Sequence, residues 1–356
     1  MMIDFIIVGQ GLAGSILGYL LDRRGYKVKV VDSGCPTNSS RVAGGIFNPI
    51  TGKRLVKSWK ADQLFPFMFD FYQQLEHALG LNFFYPTGVY KPFASKEEEE
   101  YWVIKSNERF GDWISLKDKN NNEILRHFKN FCSGIDILNS GYVNVTALLD
   151  GLKDFFLKRN ILIEQQFDIT GLAVSEDVVE WNCICAKKVI FCEGSNAINN
   201  PYFNWLPFVL TKGEIIKIKV NRYNINKVVN KGIYLIPSDN GIKAGATYNW
   251  DFNNDLPTDE GKEELKLKLD SILKEDYQII SHEAGIRPTV KDRKPLIGLH
   301  PEFKSLAIFN GLGTKGVSIA PYFANEFILF LENNKTLDED VNIERFYTLY
   351  YHNSEI

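Results

Sequence analysis

The sequence predicts an α/β chain in which one domain, assembled from separate segments, is interleaved with a second unit built on an antiparallel sheet. Three observations lead there. The chain opens on strand, glycine turn and helix; strands ending at glycine recur in the middle and near the end; and a stretch of alternating residues, Gly213 to Tyr248, lies between them. With 356 residues, 45% of them hydrophobic and 24% charged, the chain is long enough for two interlocked domains with a sizeable core.

Asp4 to Val8 is a short β-branched and aromatic run that stops at glycine, and Leu12, Ile16, Leu17, Leu20 and Leu21 follow at helical spacing. Gly25 closes that helix, and Lys27 to Val31 alternates as a second strand before Asp32. From Trp59 to Glu76 the pattern Leu64, Phe67, Met68, Phe71, Tyr72, Leu75 is that of an amphipathic helix, and the charged run Lys96 to Glu100 opens another. Asn144 can cap a helix whose apolar face is Leu148, Leu149, Leu152, Phe155 and Phe156. A strand over Lys188 to Cys192 turns at Gly194. Beyond the alternating stretch come a helix over Glu260 to Leu273, a strand over Leu306 to Phe309 and a last helix from about Ile319 to Leu331.

The formal net charge of −3 carries no global signal for a nucleic-acid partner, and Lys53, Arg54, Lys57 and Lys60 read as a solvated face. The cysteines, Cys35, Cys132, Cys183, Cys185 and Cys192, lack zinc spacing and an even disulfide framework, which fits a reducing cytoplasm. The histidines, His77, His127, His282, His300 and His352, are scattered, so no metal is expected. The apolar opening is interrupted by Asp4 and by Gly9 to Gly14 and has no basic region before it, unlike a signal peptide. No apolar run reaches the roughly 18 residues of a membrane span.

The motif Gly9-Gln10-Gly11-Leu12-Ala13-Gly14 sits between strand and helix, and Asp32 follows Gly14 by 18 residues at the end of the next strand, with Ser33 beyond it. Gly9 permits the tight turn, Gly11 lets a pyrophosphate approach the backbone, and Gly14 lets helix and strand pack closely. Free N–H groups and the helix dipole favour an anion there, and a carboxylate at Asp32 can accept from ribose hydroxyls. This context points to a dinucleotide without choosing between FAD and NAD.

Four further blocks carry a family resemblance. Ser40 to Pro49, with Arg41, Val42, Ala43, Gly44 and Gly45, resembles the segment that passes along the flavin in glycine oxidases, where small residues admit a planar ring. Lys188 to Gly194 is similar to the family's second cofactor strand, with Cys192-Glu193-Gly194 in place of an Ala-Thr-Gly-like turn. Ala284 to Thr289 and Lys291 to Gly298 resemble the block Gly-x-Arg-Pro…Asp…Pro-x-Ile-Gly, and Asn310 to Pro321 resembles the closing strand-to-helix turn. The chain thus resembles the glycine oxidase and D-amino acid oxidase family of FAD-dependent oxidoreductases. Gly313-Thr314-Lys315-Gly316 and Gly245-Ala246-Thr247-Tyr248 are most similar to the FAD oxidase domain of a bifunctional tRNA-modifying branch.

The resemblance implies a Rossmann-like, three-layer ββα FAD-binding domain over 1–55, 140–205 and 283–356, and a substrate-binding unit over 56–139 and 206–282. Residues 55–140 carry no motif. It implies cofactor contacts from Gly9, Gly11, Leu12, Ala13, Gly14, Asp32, Ser33, Arg41 to Gly45, Ile169, Cys192 to Gly194, Gly311 and Gly313 to Val317. FAD would be held without a covalent link, since no Cys lies in Ala307 to Val317 and no His near Ser40 to Gly45. The implied activity is oxidation of a carbon–nitrogen bond in an amino acid or secondary amine by hydride transfer to flavin N5. Arg287 would hold the substrate carboxylate through its planar fork. Lys243 would assist reaction with oxygen, by similarity to a sarcosine oxidase segment, and Tyr248 completes the catalytic set. The final electron acceptor is oxygen or another oxidant. The alternatives are an oxidase of a carboxymethylaminomethyl-uridine side chain in tRNA, against which the charge argues, and a non-catalytic flavoprotein.

Overall fold

A computed structural model of the chain describes residues 2–34, 38–52, 56–109, 113–117, 123–131, 133–221, 224–333 and 335–354. The opening strand, Ile3–Val8, has four buried residues in a row because it is central in a sheet covered on both faces. It pairs in parallel with Val28–Asp32 on one side and Ile184–Phe191 on the other. Leu162–Glu164 and Leu306–Asn310 extend the parallel set outward on either side. Three short antiparallel strands, Leu172–Val174, Val179–Trp181 and Leu296–Leu299, complete this sheet of eight.

One face of the sheet is covered by the helices Leu12–Arg23, Val145–Lys158 and Gly316–Leu331, which share one core. The other face packs Trp181, Phe203, Trp205 and their neighbours. The sheet thus carries a helical layer on one face and an aromatic-rich cover on the other. The first helix ends where the N–H of Gly25 (φ +87°) bonds Asp22 O at 2.9 Å and that of Tyr26 bonds Leu21 O at 3.1 Å. Glycine relieves the left-handed residue that this closure needs. Asn144 does cap the helix Val145–Lys158, accepting from the N–H of Ala147 at 3.2 Å.

Among the described residues the second sheet also has eight strands, in the order Tyr277–Arg287, Thr211–Val220, Gly241–Gly245, Tyr234–Ser238, Val228–Asn230, Val89–Phe93, Ser133–Ile137, Ile114–Lys117. It is antiparallel apart from one parallel pair, Val228–Asn230 with Val89–Phe93. The helix Asp259–Ile272 packs Leu265, Leu269 and Ile272 against its rear, leaving the front toward the first sheet.

Some expectations change. The helix Ala61–Leu79, assigned from sequence to the substrate-binding unit, buries Leu64, Met68, Tyr72 and Leu75 in the core of the first sheet, and its Tyr72 hydroxyl donates to Val317 O at 2.9 Å. The strand Tyr277–Arg287 runs unbroken through position 283, where a boundary was expected, because its whole length pairs with Thr211–Val220. The last long helix starts at Gly316 rather than Ile319. Of the basic face, Lys57 pairs with Asp62 and Lys60 with Asp338 at 2.6 Å, while Lys53 and Arg54 lie outside the described residues, as do Cys35 and Cys132. Among the described residues no His, Cys, Asp and Glu cluster could hold a metal, and no helix is long and apolar enough to cross a membrane.

Candidate active site

A cavity of about 970 Å³ lies between the carboxyl ends of the parallel strands and the front of the second sheet. In open α/β sheets that end of the strands is where ligands bind. Gly9 (φ +103°) turns the chain so tightly that a Cβ there would sit 2.6 Å from Cys192 O. A Cβ on Gly14 would sit 1.9 Å from Gly9 O, so Gly14 permits the turn from behind and does not line the cavity. Gly11, Leu12 and Ala13 do line it, at the helix N-terminus, where the N–H of Leu12 donates to Ser40 Oγ at 3.1 Å. Asp32 and Ser33 lie beside them. The Asp32 carboxylate is oriented by the N–H of Gln10 at 2.7 Å and of Gly34 at 2.6 Å.

The one-turn helix Ser39–Val42 starts at Asn38, whose side chain accepts from the N–H of Arg41 at 3.0 Å. Val42, Ala43, Gly44 and Gly45 line the cavity after it. Arg41 does not. Its guanidinium pairs with Asp150 at 2.8 Å. Gly45 (φ +64°) lies so close to Val143 O that a Cβ would be 2.0 Å from it.

Ile169, Cys192, Glu193 and Gly194 form another wall. Burial pushes the Cys192 thiol well up and raises the Glu193 carboxyl, the latter partly offset by the Asn200 amide, which donates to it at 2.7 Å. Gly313, Thr314, Lys315, Gly316 and Val317 also line the cavity and lead into the helix Gly316–Leu331. Gly311 packs inward against Leu296 and Val290 and does not line the cavity. Burial lowers the pKa of Lys315, whose Nζ donates to Ser58 Oγ at 3.3 Å.

Arg287 ends its strand opposite Thr211, so its side chain rises from the same face as Thr211 and Gly213. There the guanidinium lies directly over Gly213, where a Cβ would meet its atoms at 1.9 to 2.4 Å. The Tyr248 ring lies on it at 4.7 Å, and two N–H groups reach Thr247 O at 3.4 Å, a long contact. Among the described residues no carboxylate pairs with Arg287, and burial lowers its pKa. Both Arg287 and Tyr248 line the cavity. Lys243 does not; it stands on the same face of the sheet, opposite Ile236 and Lys217, and burial lowers its pKa while Glu283 partly offsets this.

Sequence reasoning missed Gly213, Ile215, Tyr234, Ile236, Asn48 and Asn200, all of which line the cavity. Gly213, between Lys212 and Glu214 in a strand, was the readable signal, because glycine inside a strand marks a close approach.

The donor set fits FAD. A helix N-terminus and glycine turn can take the pyrophosphate, the oriented Asp32 a ribose, and the wall Val42 to Gly45 a flat ring. Lys315, at the start of another helix, offers positive potential to an electron-rich ring edge.

Comparison with known proteins agrees. Residues 4–328 match the family model described as FAD dependent oxidoreductase. The chain is 27% identical to a glycine oxidase of Pseudomonas aeruginosa, over 89% of this chain and 91% of that one. It is 25% identical to a tRNA 5-methylaminomethyl-2-thiouridine biosynthesis bifunctional protein of Leptospira interrogans, over 97% of this chain but 59% of that one. In fold it is similar to the crystal structure of glycine oxidase from Bacillus cereus, with a TM-score of 0.78 at 18% identity over 94% of this chain and 96% of that one. With its cavity built on the glycine turn and its match spanning nearly the whole length, the chain belongs to the family of FAD-dependent oxidoreductases that includes glycine oxidase.

Proposed function

We propose that this oxidoreductase oxidises the carbon–nitrogen bond of a small amino acid or secondary amine that carries a carboxylate. The observation that carries the reading is the Arg287 guanidinium, which faces the cavity with no carboxylate of the described chain beside it. A partly buried cation without a counter-ion is unfavourable by itself, and an anionic ligand relieves it. Bound FAD would supply the acceptor for the hydride that leaves the carbon beside the amine nitrogen, while the nitrogen lone pair closes the carbon–nitrogen double bond and the N–H proton is lost. The chain supplies position and charge: Arg287 grips the carboxylate with two parallel N–H bonds, Gly213 and Tyr248 hold the guanidinium flat, and Lys315 raises the local potential.

The test compares a carboxylated amine with its decarboxylated counterpart in steady-state kinetics. Replacing Arg287 with Ala should lower kcat/KM about tenfold to a hundredfold on the first and far less on the second, as loss of a charged hydrogen bond predicts. Comparable loss on both would remove Arg287 from substrate binding.

The same reading has FAD held non-covalently, with Asp32 on the adenosine ribose. The cavity wall offers a single cysteine among the described residues, Cys192, and burial keeps its thiol protonated and unreactive. Acid precipitation should leave the yellow colour in the supernatant; colour in the pellet would refute this. Asp32→Ala should weaken FAD binding by about 1.5 to 3 kcal/mol in a titration of apoprotein.

A further inference from the structure

Past Gly245 the chain continues along the strand Thr211–Val220 as an extended segment. The N–H of Thr247 bonds Glu214 O at 3.1 Å and its hydroxyl accepts from the N–H of Glu214 at 2.9 Å. Asn249 and Lys212 exchange backbone bonds of 2.9 and 2.8 Å. Asn249 therefore shares the rear face with Lys212, and Tyr248 and Trp250 project to the cavity side. Further on, Lys212 Nζ donates to Leu256 O, while Thr258 donates to the Glu214 carboxylate through its N–H at 3.0 Å and its hydroxyl at 2.8 Å. Two buried residues, Lys212 and Glu214, thus fasten the loop at both ends.

On this fastened loop the two rings stay in solvent. Tyr248 is 55% exposed and Trp250 64%, with ring centroids 6.2 Å apart at an interplanar angle of 29°. Arg287 lies 4.7 Å from the Tyr248 centroid, so guanidinium, tyrosine and tryptophan form a row leading from the cavity wall outward. A fixed backbone that holds two large flat faces in water beside a cavity marks a binding surface, and flat faces select flat partners by stacking.

We propose that Tyr248 and Trp250 form a stacking platform for a flat aromatic ring carried on the amine of the substrate. The proposal rests on the reading that Arg287 holds the substrate carboxylate, which anchors one end of the molecule while its ring lies on the row.

The test uses N-benzylglycine and N-(cyclohexylmethyl)glycine, which share the carboxylate, the amine and nearly the same bulk but differ in flatness. Each is titrated anaerobically into the FAD-loaded protein, and binding is read from tryptophan quenching and from the flavin absorbance. The benzyl compound should bind about fivefold more tightly, the scale of one aromatic pair. In Trp250→Ala, and in Trp250→Leu, which keeps apolar bulk without a flat face, the ratio should fall to about one. Equal affinity for the wild-type protein, or a preference that survives both substitutions, would overturn the platform. Turnover is scored separately. Oxidation of glycine without a benzyl preference removes the platform and leaves the oxidase reading standing. A benzyl preference with no carboxylated amine oxidised does the reverse.

Discussion

Two cations stand one residue apart in register on neighbouring strands and face opposite ways. Lys212, on the rear of the second sheet, is 1% exposed and fully provided for: its Nζ reaches Leu256 O and lies 3.6 Å from Glu214. Glu214, 2% exposed, in turn receives Thr258 and lies 2.8 Å from His282 Nε2. Arg287, paired across the ladder with Thr211, faces the cavity with a tyrosine ring and a distant carbonyl. The chain can satisfy a buried charge when its role is architectural. Where it leaves one unsatisfied at a cavity, the missing partner is to be sought among ligands.

The sharpest way to break this contrast is to remove Glu214. Its loss leaves Lys212 as an unpaired buried charge and frees Thr258, and breaking such a pair costs about 3 to 5 kcal/mol. Glu214→Ala should therefore show that drop in urea denaturation of the FAD-loaded protein, and Glu214→Gln, which can still accept from Thr258, a smaller one. A change under about 1 kcal/mol for Glu214→Ala would mean that the rear network is ornamental.

Gly213 probes the front face of the same strand. Its added Cβ would fall within 2.4 Å of every guanidinium nitrogen it meets, so the Arg287 fork must move off its seat. Misplacing a positioned group by about 1 Å can lose about a hundredfold in rate, so Gly213→Ala should act like a milder Arg287→Ala, about tenfold or more in kcat/KM. The loss should be confined to carboxylated substrates, with FAD affinity retained. Equal loss on decarboxylated amines would assign Gly213 to the fold alone.

How far the sequence foretold this site follows from how local each feature is. Gly9, Gly11, Leu12, Ala13 and Asp32 are set by one strand-turn-helix-strand unit, so their place on the cavity was readable from spacing. Arg287 was found through a motif, but its seat depends on pairing Gly213 with a strand some 70 residues away, which no local pattern encodes. The ion pair of Arg41 with Asp150 was hidden, because the side a one-turn helix presents depends on a distant partner. Lys243 stands two residues before Gly245 on the same face of its strand, a placement that only the strand register reveals. The amphipathic pattern of Ala61–Leu79 was plain, but it could not name the surface that would cover it. The parallel pairing of Val228–Asn230 with Val89–Phe93 joins segments about twice as far apart and was equally hidden.

The smallest expected effect is the most discriminating. If Arg287 is held for a ligand, its charge contributes nothing to the free fold, and a side chain of similar length without charge should be tolerated. Methionine fits that description and can lie along Gly213 beneath the Tyr248 ring, where a sulfur–aromatic contact is worth roughly 0.3 to 1.5 kcal/mol. The guanidinium is partly buried without a carboxylate beside it among the described residues, so removing its charge relieves a solvation penalty in the free protein. Arg287→Met should accordingly leave the stability of the FAD-loaded protein within about 1 kcal/mol of wild type, or slightly raise it, while recognition of carboxylates collapses. Denaturation with and without a carboxylate ligand separates the two effects. Saturating ligand should stabilise wild type by an amount that grows with its concentration over Kd, and Arg287→Met far less at the same concentration. A loss of 2 kcal/mol or more in the unliganded variant would show that Arg287, like Lys212, belongs to the architecture, and the contrast between the two faces of the sheet would disappear.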